Sequence, residues 1–119
     1  MPDSVTSQLS NYYDDVPYES HPFPQTAAEH LEAVAFLFGL DAPPPAKARI
    51  LELGCASGGN LIPLAARLPE ATVMGVDLSA VQARQGQAAV DRAGLTNLRL
   101  RQFDIAEIDE AFGQFDYII

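Results

Sequence analysis

Apolar residues follow two different spacings along the chain, and these spacings predict where strands and helices lie. Short apolar runs rich in β-branched residues are typical of buried strands, and apolar residues at intervals of three and four are typical of helices. The predicted strands are 50–53, 72–77, 98–104 and 115–119. The predicted helices are 26–39, 60–68 and 79–93. Leucine alternates with arginine in the third strand, which favours a position nearer the sheet edge than the first strand.

Two helix starts carry the pattern of a capping box, in which a first side chain caps the helix and a side chain three residues later reaches back. Thr26 with Glu29 has this pattern, and Ser79 with Gln82 repeats it. We therefore predict that both hydroxyls are N-caps and that the Glu29 and Gln82 side chains return to the cap. Gly94 suits the end of the second of these helices.

Residues 1–25 show few periodic apolar positions. This segment is rich in proline and in aromatic residues: Pro2, Pro17, Pro22, Pro24, Tyr12, Tyr13, Tyr18 and Phe23. Disordered tails usually lack aromatic residues, so we expect the segment to lie irregularly across the domain as part of a lid. Three prolines in residues 41–48 predict a stiff connector that cannot be helical inside.

The order of elements is a helix followed by alternating strands and helices, which indicates an α/β fold. We predict a Rossmann-like parallel sheet with strand order 3-2-1-4, helices on both faces and an N-terminal helix. Residues 1–48 are predicted to form an N-terminal segment and helix, and residues 49–119 the N-terminal half of a nucleotide-binding domain. Because the sequence stops inside a predicted strand, we expect a piece of a longer protein with an exposed sheet edge, at which chains could associate.

The charge of the chain excludes some partners. Sixteen acidic residues stand against seven basic ones, for a net charge of −9, which disfavours nucleic-acid binding and anionic membranes. Cys55 is the single cysteine and the two histidines are far from it, so the sequence predicts neither a disulfide nor a metal site. It has no signal peptide and no membrane-length apolar run, so we expect a cytoplasmic protein.

Small residues between the first strand and the next helix predict a tight turn that brings backbone amides close to a ligand. The spacing of Gly54, Ala56 and Gly59 also fits a dinucleotide fingerprint. Glu52, however, lies two residues upstream and would repel a pyrophosphate. A ligand with a cationic amino group and sulfonium, such as S-adenosylmethionine, gives this carboxylate a role. The alternative is a structural glutamate bound to loop amides.

Two further carboxylates follow the second and third strands. Asp77 lies about twenty residues beyond the glycine-rich turn, where an acidic residue accepts hydrogen bonds from a ribose diol. Asp104 is suited to receive an adenine amine. Each has a plain structural alternative, a helix cap for Asp77 and a loop cap for Asp104. Cys55 has no histidine or asparagine placed near it by the sequence, so we do not expect a nucleophile.

Three segments, 51–60, 75–79 and 103–105, resemble the first three motifs of class I S-adenosylmethionine-dependent methyltransferases, and residues 115–119 resemble that fold's fourth strand. Ala56 stands where the family commonly has glycine. Residues 13–40 are similar to a bacterial subgroup in which a regulatory domain follows the methyltransferase domain.

The resemblance implies that residues 49–119 are the N-terminal half of a methyltransferase domain, with S-adenosylmethionine as cofactor and an unidentified methyl acceptor. It implies that Glu52 binds the cofactor's amino group, Asp77 the ribose hydroxyls and Leu78 an adenine face. The full set of implied cofactor-binding residues is Glu52, Gly54, Ala56, Gly58, Asn60, Asp77, Leu78, Asp104 and Ile105. Tyr13 or Tyr18 is a candidate aromatic cover for the sulfonium. The catalytic residues stay unknown, and the rival hypotheses are an NAD(P)-binding oxidoreductase and a non-catalytic regulatory module.

Overall fold

The computed structural model describes residues 4–16 and 18–119. The helices are α1 (Ser4–Asp15), α2 (Ala28–Leu37), α3 (Leu61–Arg67) and α4 (Ala80–Arg92). The strands are β1 (Arg49–Leu53), β2 (Thr72–Asp77), β3 (Leu98–Gln102) and β4 (Tyr117–Ile118). Within the described ranges, no helix has both the length and the apolar character needed to cross a membrane.

The four strands form one parallel sheet in the order β3-β2-β1-β4. The predicted fold class and strand order are therefore confirmed. Leu53 is level with Val76, and Asp77 is level with Gln102, so the strands end close together. All parallel strands end at the same sheet edge, and this edge is where such sheets bind ligands.

The core lies between the sheet and the helices that follow its strands. Its members are apolar and almost inaccessible to solvent: Ile50, Val73, Leu98, Leu61, Leu64, Ala65, Val90 and Tyr117. Gly75 lies within β2 because there is no room for a side chain there. A Cβ at this residue would lie 2.7 Å from Leu61 Cδ1 and 2.8 Å from Cys55 Sγ.

The prediction that residues 1–25 are irregular is wrong for α1. Ser4–Asp15 contains neither proline nor glycine, so nothing in it prevents a helix. Val5, Leu9 and Tyr12 recur in it at intervals of four and three, an apolar spacing typical of a helix, although no residue of α1 is buried. Pro2 and Pro17, part of the evidence for an irregular segment, lie outside the described residues.

The first predicted capping box is also wrong. Helix α2 begins at Ala28 without a side-chain cap. Thr26 instead ends a short 3-10 turn, donating from Oγ1 to Phe23 O at 2.9 Å and accepting from Asn60 Nδ2 at 3.0 Å. Glu29 accepts from Arg67 Nη2 at 3.3 Å. Contacts with α3 and its N-cap thus replace the local cap that the sequence pattern predicts.

Candidate functional site

A cavity of about 590 Å³ opens at the sheet edge where the strands end. This volume is in the range of about 300–1,000 Å³ that is usual for small-molecule sites. Eight of the nine residues predicted to bind the cofactor line it: Glu52, Gly54, Ala56, Asn60, Asp77, Leu78, Asp104 and Ile105. The structure therefore brings the three predicted carboxylates to one cavity.

Gly58 is the predicted residue that the structure does not place in the cavity lining. Its φ is +84°, and a Cβ there would lie 2.6 Å from Leu100 Cδ1. Gly58 therefore allows the turn to pack against the core. The neighbouring Ala56 lines the cavity with a φ of +49°, a left-handed conformation that is costly for a residue with a side chain.

Glu52 is 7% exposed and belongs to both β1 and the cavity wall. Its Oε2 accepts from Asn60 Nδ2 at 2.6 Å. Burial raises the pKa of Glu52 above 4.5 and the Asp77 charge raises it further, while the hydrogen bond from Asn60 acts in the opposite direction. A cationic group in the cavity would favour the ionised form of Glu52.

Asn60 uses its side-chain amide within the protein. Nδ2 donates to Glu52 and Thr26, and Oδ1 accepts from the Phe23 amide at 2.7 Å. Gly59, its neighbour, donates its amide to Ser20 Oγ at 2.7 Å. Asn60 thus orients Glu52 and ties the segment before α2 to the glycine-rich turn.

Asp77 holds the two sides of the turn together. Its Oδ2 accepts from the Ala56 amide at 2.8 Å, and its Oδ1 accepts from the Ser79 amide at 2.9 Å. The capping role considered for Asp77 is therefore real. A carboxylate oxygen has about two acceptor positions, so each oxygen retains capacity for a ligand hydroxyl.

The second predicted capping box is half formed. Ser79 Oγ accepts from the Gln82 amide at 3.2 Å, as predicted. The return bond from the Gln82 side chain is absent because Asp77 already accepts from Ser79 N. Gln82 is 2% exposed, lines the cavity and has an Oε1 atom without a hydrogen-bond partner among the described residues.

Asp104 has both roles that its sequence position suggests. Its Oδ1 accepts from the Ala106 amide at 2.9 Å and so caps a 3-10 turn at Ile105–Glu107. The same residue lines the cavity beside Leu78 and Phe103. The structural alternative and the ligand hypothesis are therefore compatible for this side chain.

Helix α1 supplies a cavity wall that sequence reasoning missed. Thr6 and Leu9 line the cavity, as does Tyr13, which the sequence suggested for a different reason. Tyr13 and Tyr18 both line it, with ring centroids 5.5 Å apart. The usable signal was the spacing of Val5, Leu9, Tyr12 and Tyr13 at intervals of three and four in a stretch without proline or glycine.

Cys55 also lines the cavity, but its thiol is unsuited to nucleophilic chemistry. Burial, with the charges of Asp77 and Glu52 adding to it, raises the pKa of Cys55 to about 12. The thiolate is the reactive form of cysteine, and at neutral pH almost none is present.

Comparisons with known proteins agree with one another. A family model described as a methyltransferase domain matches residues 50–119. An uncharacterised protein of Rickettsia prowazekii is 50% identical over 109 residues, which cover 92% of this chain and 20% of that protein. Trans-aconitate 2-methyltransferase of Deinococcus radiodurans is 39% identical over 71 residues, 60% of this chain and 25% of that enzyme.

A solved structure shares the fold closely. PKMT2 from Rickettsia typhi in complex with AdoHcy superposes with a TM-score of 0.81 at 36% identity, covering 86% of this chain and 20% of that one. The chain thus spans about a fifth of the length of these two Rickettsia proteins.

Proposed function

The chain belongs to the methyltransferase-domain family and has the class I fold of S-adenosylmethionine-dependent methyltransferases, and from this premise we propose that it binds S-adenosylmethionine for methyl transfer. One observation carries the proposal. Glu52, Asp77 and Asp104, from the ends of three neighbouring strands, line the same cavity. That arrangement supplies acceptors for the amine, hydroxyl and exocyclic amine groups of this cofactor.

The chemistry of the cavity fits a cationic adenosine derivative. Glu52 is buried, and its raised pKa reflects a carboxylate that lacks a compensating positive charge. The amino group of the cofactor would supply that charge. The oxygens of Asp77 retain acceptor capacity on the same wall, which suits a ribose diol.

We assign the remaining cofactor contacts from the family resemblance, for residues that line the cavity. The backbone at Gly54 and Ala56 forms the wall beside the methionine portion, Leu78 covers an adenine face, and Asp104 with Ile105 meets the adenine edge. Asn60 acts through Glu52, which it orients by the 2.6 Å hydrogen bond. We propose no ligand contact for Gly58.

S-adenosylmethionine carries a methyl group on a cationic sulfur, from which an acceptor displaces it in line. The task of the chain is therefore to hold the cofactor in position and to exclude water. We assign the exclusion of water to Tyr13 and Tyr18, which line the cavity, and an aromatic face is also a favourable neighbour for a cation.

The oxidoreductase alternative is disfavoured by Glu52. The oxidoreductase hypothesis requires Glu52 to face away from the ligand, but Glu52 lines the cavity. A pyrophosphate bound at the turn would therefore lie close to this buried carboxylate and be repelled by it. The comparisons give no support to a dinucleotide enzyme.

The methyl acceptor is a separate matter, because this chain matches about a fifth of its Rickettsia relatives. We propose that acceptor-binding residues lie in the part of the relatives that this chain does not match. A regulatory domain, a cytoplasmic location and self-association through the β4 edge stay predictions.

Isothermal titration of the chain with S-adenosylmethionine, S-adenosylhomocysteine and NAD tests the proposed function. We expect binding of the first two and none of the third. Asp77→Asn should weaken S-adenosylhomocysteine binding about tenfold or more, since a charged acceptor for the hydroxyls is lost.

Asp41→Asn is the matched control, because it removes the same charge from an exposed residue outside the cavity lining. Thermal unfolding without ligand shows whether each variant is folded. The proposal fails if the chain binds neither S-adenosylmethionine nor S-adenosylhomocysteine, or if it binds NAD more tightly than either of them.

A further inference from the structure

The Gln82 side chain is an unused hydrogen-bonding group on the cavity wall. It is 2% exposed, and its Oε1 is the buried side-chain polar atom without a partner among residues 4–16 and 18–119. Buried amides are nearly always hydrogen-bonded, because an unsatisfied one is unfavourable. A group of this kind in a ligand cavity is therefore expected to meet a ligand.

A local competition explains why Gln82 is left without a partner. In a complete capping box its side chain would return to the Ser79 amide. Asp77 Oδ1 occupies that amide at 2.9 Å, while Ser79 Oγ accepts from the Gln82 backbone. Because the Asp77 carboxylate already accepts from this amide, the Gln82 side chain does not form the return bond of the capping box.

The position of Gln82 indicates which part of a ligand it meets. Helical side chains extend towards the N-terminus of their helix, and in α4 that direction leads to Asp77 and Leu78. All three residues line the same cavity. Asp77 is the residue to which the proposed function assigns the ribose.

We propose that the Gln82 amide is a second ribose-binding group, which forms a hydrogen bond with one hydroxyl of the diol held by Asp77. A hydroxyl has a single proton to donate, so one hydroxyl of the diol donates to Asp77 and the other donates to Gln82 Oε1, the atom that lacks a partner. The inference rests on the proposed function, because it assumes that an adenosine ligand occupies the cavity.

Gln82→Met tests the proposal by changing the amide to an apolar side chain of similar length. S-adenosylhomocysteine binding should weaken about three- to tenfold, the size of one net hydrogen bond. The thermal midpoint of the ligand-free variant should stay unchanged or rise, since an unsatisfied buried amide is removed. A merely structural glutamine would give the opposite change in the thermal midpoint.

Gln85→Met is the matched control, because Gln85 lies on the same helix but is exposed and outside the cavity lining. Its affinity should equal that of the unmodified chain. Two analogues of S-adenosylhomocysteine, one lacking the 2′-hydroxyl and one lacking the 3′-hydroxyl, identify the hydroxyl that pairs with Gln82. For the analogue that lacks this hydroxyl, the Gln82→Met variant and the unmodified chain should have equal affinity.

The outcomes separate the two proposals. An unmodified chain that does not bind S-adenosylhomocysteine overturns the proposed function and this inference with it. If the unmodified chain binds S-adenosylhomocysteine, two results with Gln82→Met overturn the inference alone. One is an unchanged affinity. The other is a weaker affinity together with a lower thermal midpoint of the ligand-free variant. A loss that persists with both deoxy ligands overturns the ribose assignment.

Discussion

Glu52, which we propose as a cofactor-binding residue, opposes the stability of the fold. Its carboxylate is buried, and among the described residues it accepts a hydrogen bond from Asn60 alone. Burial raises its pKa above 4.5, so the folded chain retains this proton to a higher pH than the unfolded chain does. Stability therefore decreases as pH rises from about 4.5 through the raised pKa.

Glu52→Gln should remove this penalty, because the amide oxygen still accepts from Asn60 but carries no charge. The ligand-free variant is expected to be more stable than the unmodified chain at pH 7, and the advantage should vanish below about pH 4.5. S-adenosylhomocysteine binding should weaken about 10- to 100-fold, since a hydrogen bond to a charged group is lost. Thermal unfolding across pH and isothermal titration measure the two effects.

Glu29→Gln is the control of opposite sign. Hydrogen bonds from its own backbone and from Arg67, with the Arg67 charge, lower the pKa of Glu29 against a smaller opposing effect of burial. Its contribution is thus present above 4.5 and lost as pH falls, so the variant should lose stability slightly at pH 7. A Glu52→Gln variant that is less stable than the unmodified chain at pH 7 would contradict our account.

At the scale of elements, α1 depends on the start of α4. Asp14 Oδ1 accepts from Ser79 Oγ at 2.6 Å and from the Val81 amide at 3.2 Å. A helix N-terminus has unpaired amides and partial positive charge, so a carboxylate from another element is stabilised there. Ser10 adds a bond from its hydroxyl to Leu78 O at 3.3 Å. Few polar contacts therefore hold a helix that has no buried residue.

Asp14→Ala should release α1 without unfolding the domain. Amides of Ser4–Asp15 are expected to exchange with solvent faster in hydrogen-exchange mass spectrometry, while those of β1 and β2 stay protected. S-adenosylhomocysteine affinity should decrease several-fold, because α1 forms a wall of the cavity. Asp15→Ala, at an exposed residue beside it, should change neither quantity. Unchanged exchange of α1 in Asp14→Ala would show that other contacts hold it.

The elements also show which features the sequence predicts and which it does not. The strands and their order follow from local spacing and from the shortness of the connections, so they are predictable. Helix α1 has an apolar spacing typical of a helix, but the prolines before and after it favoured an irregular segment. Thr26 and Gln82 were assigned to capping boxes by local pattern, but Asn60 lies 34 residues from Thr26 in sequence, and Asp77 competes for the amide at Ser79. For Thr26, a long-range contact replaces the cap that the local pattern predicts. For Gln82, a neighbouring carboxylate takes the place of the predicted return bond.

At the scale of the whole molecule, exposed apolar surface includes the end of α2 and the edge formed by β4. The end of α2 and the residues after it expose Phe36, Leu37, Phe38 and Leu40. Strand β4 pairs with β1, and Ile118 is 60% exposed. In the described part of the chain, the opposite edge of β4 has no pairing strand. Edges and patches of this kind favour association.

Sedimentation velocity should therefore show concentration-dependent association of the chain. Ile118→Lys is expected to reduce it, because a charge beside the open edge opposes strand pairing. Val5→Lys is matched in exposure, also 60%, but lies on α1, and should leave association unchanged. A chain that is monomeric at every concentration, or two variants with equal effects, would contradict association through β4.

The two hydrogen bonds that Asp77 accepts from the turn and from α4 give this residue an unusual evolutionary position. A descendant that no longer bound the proposed cofactor would still need the carboxylate to join Ala56 to Ser79, so selection for folding alone would preserve it. Glu52 has no comparable protection, since its burial is unfavourable without a cationic partner. In diverging lineages, substitution of the glutamate rather than of the aspartate would be the earlier mark of lost cofactor binding.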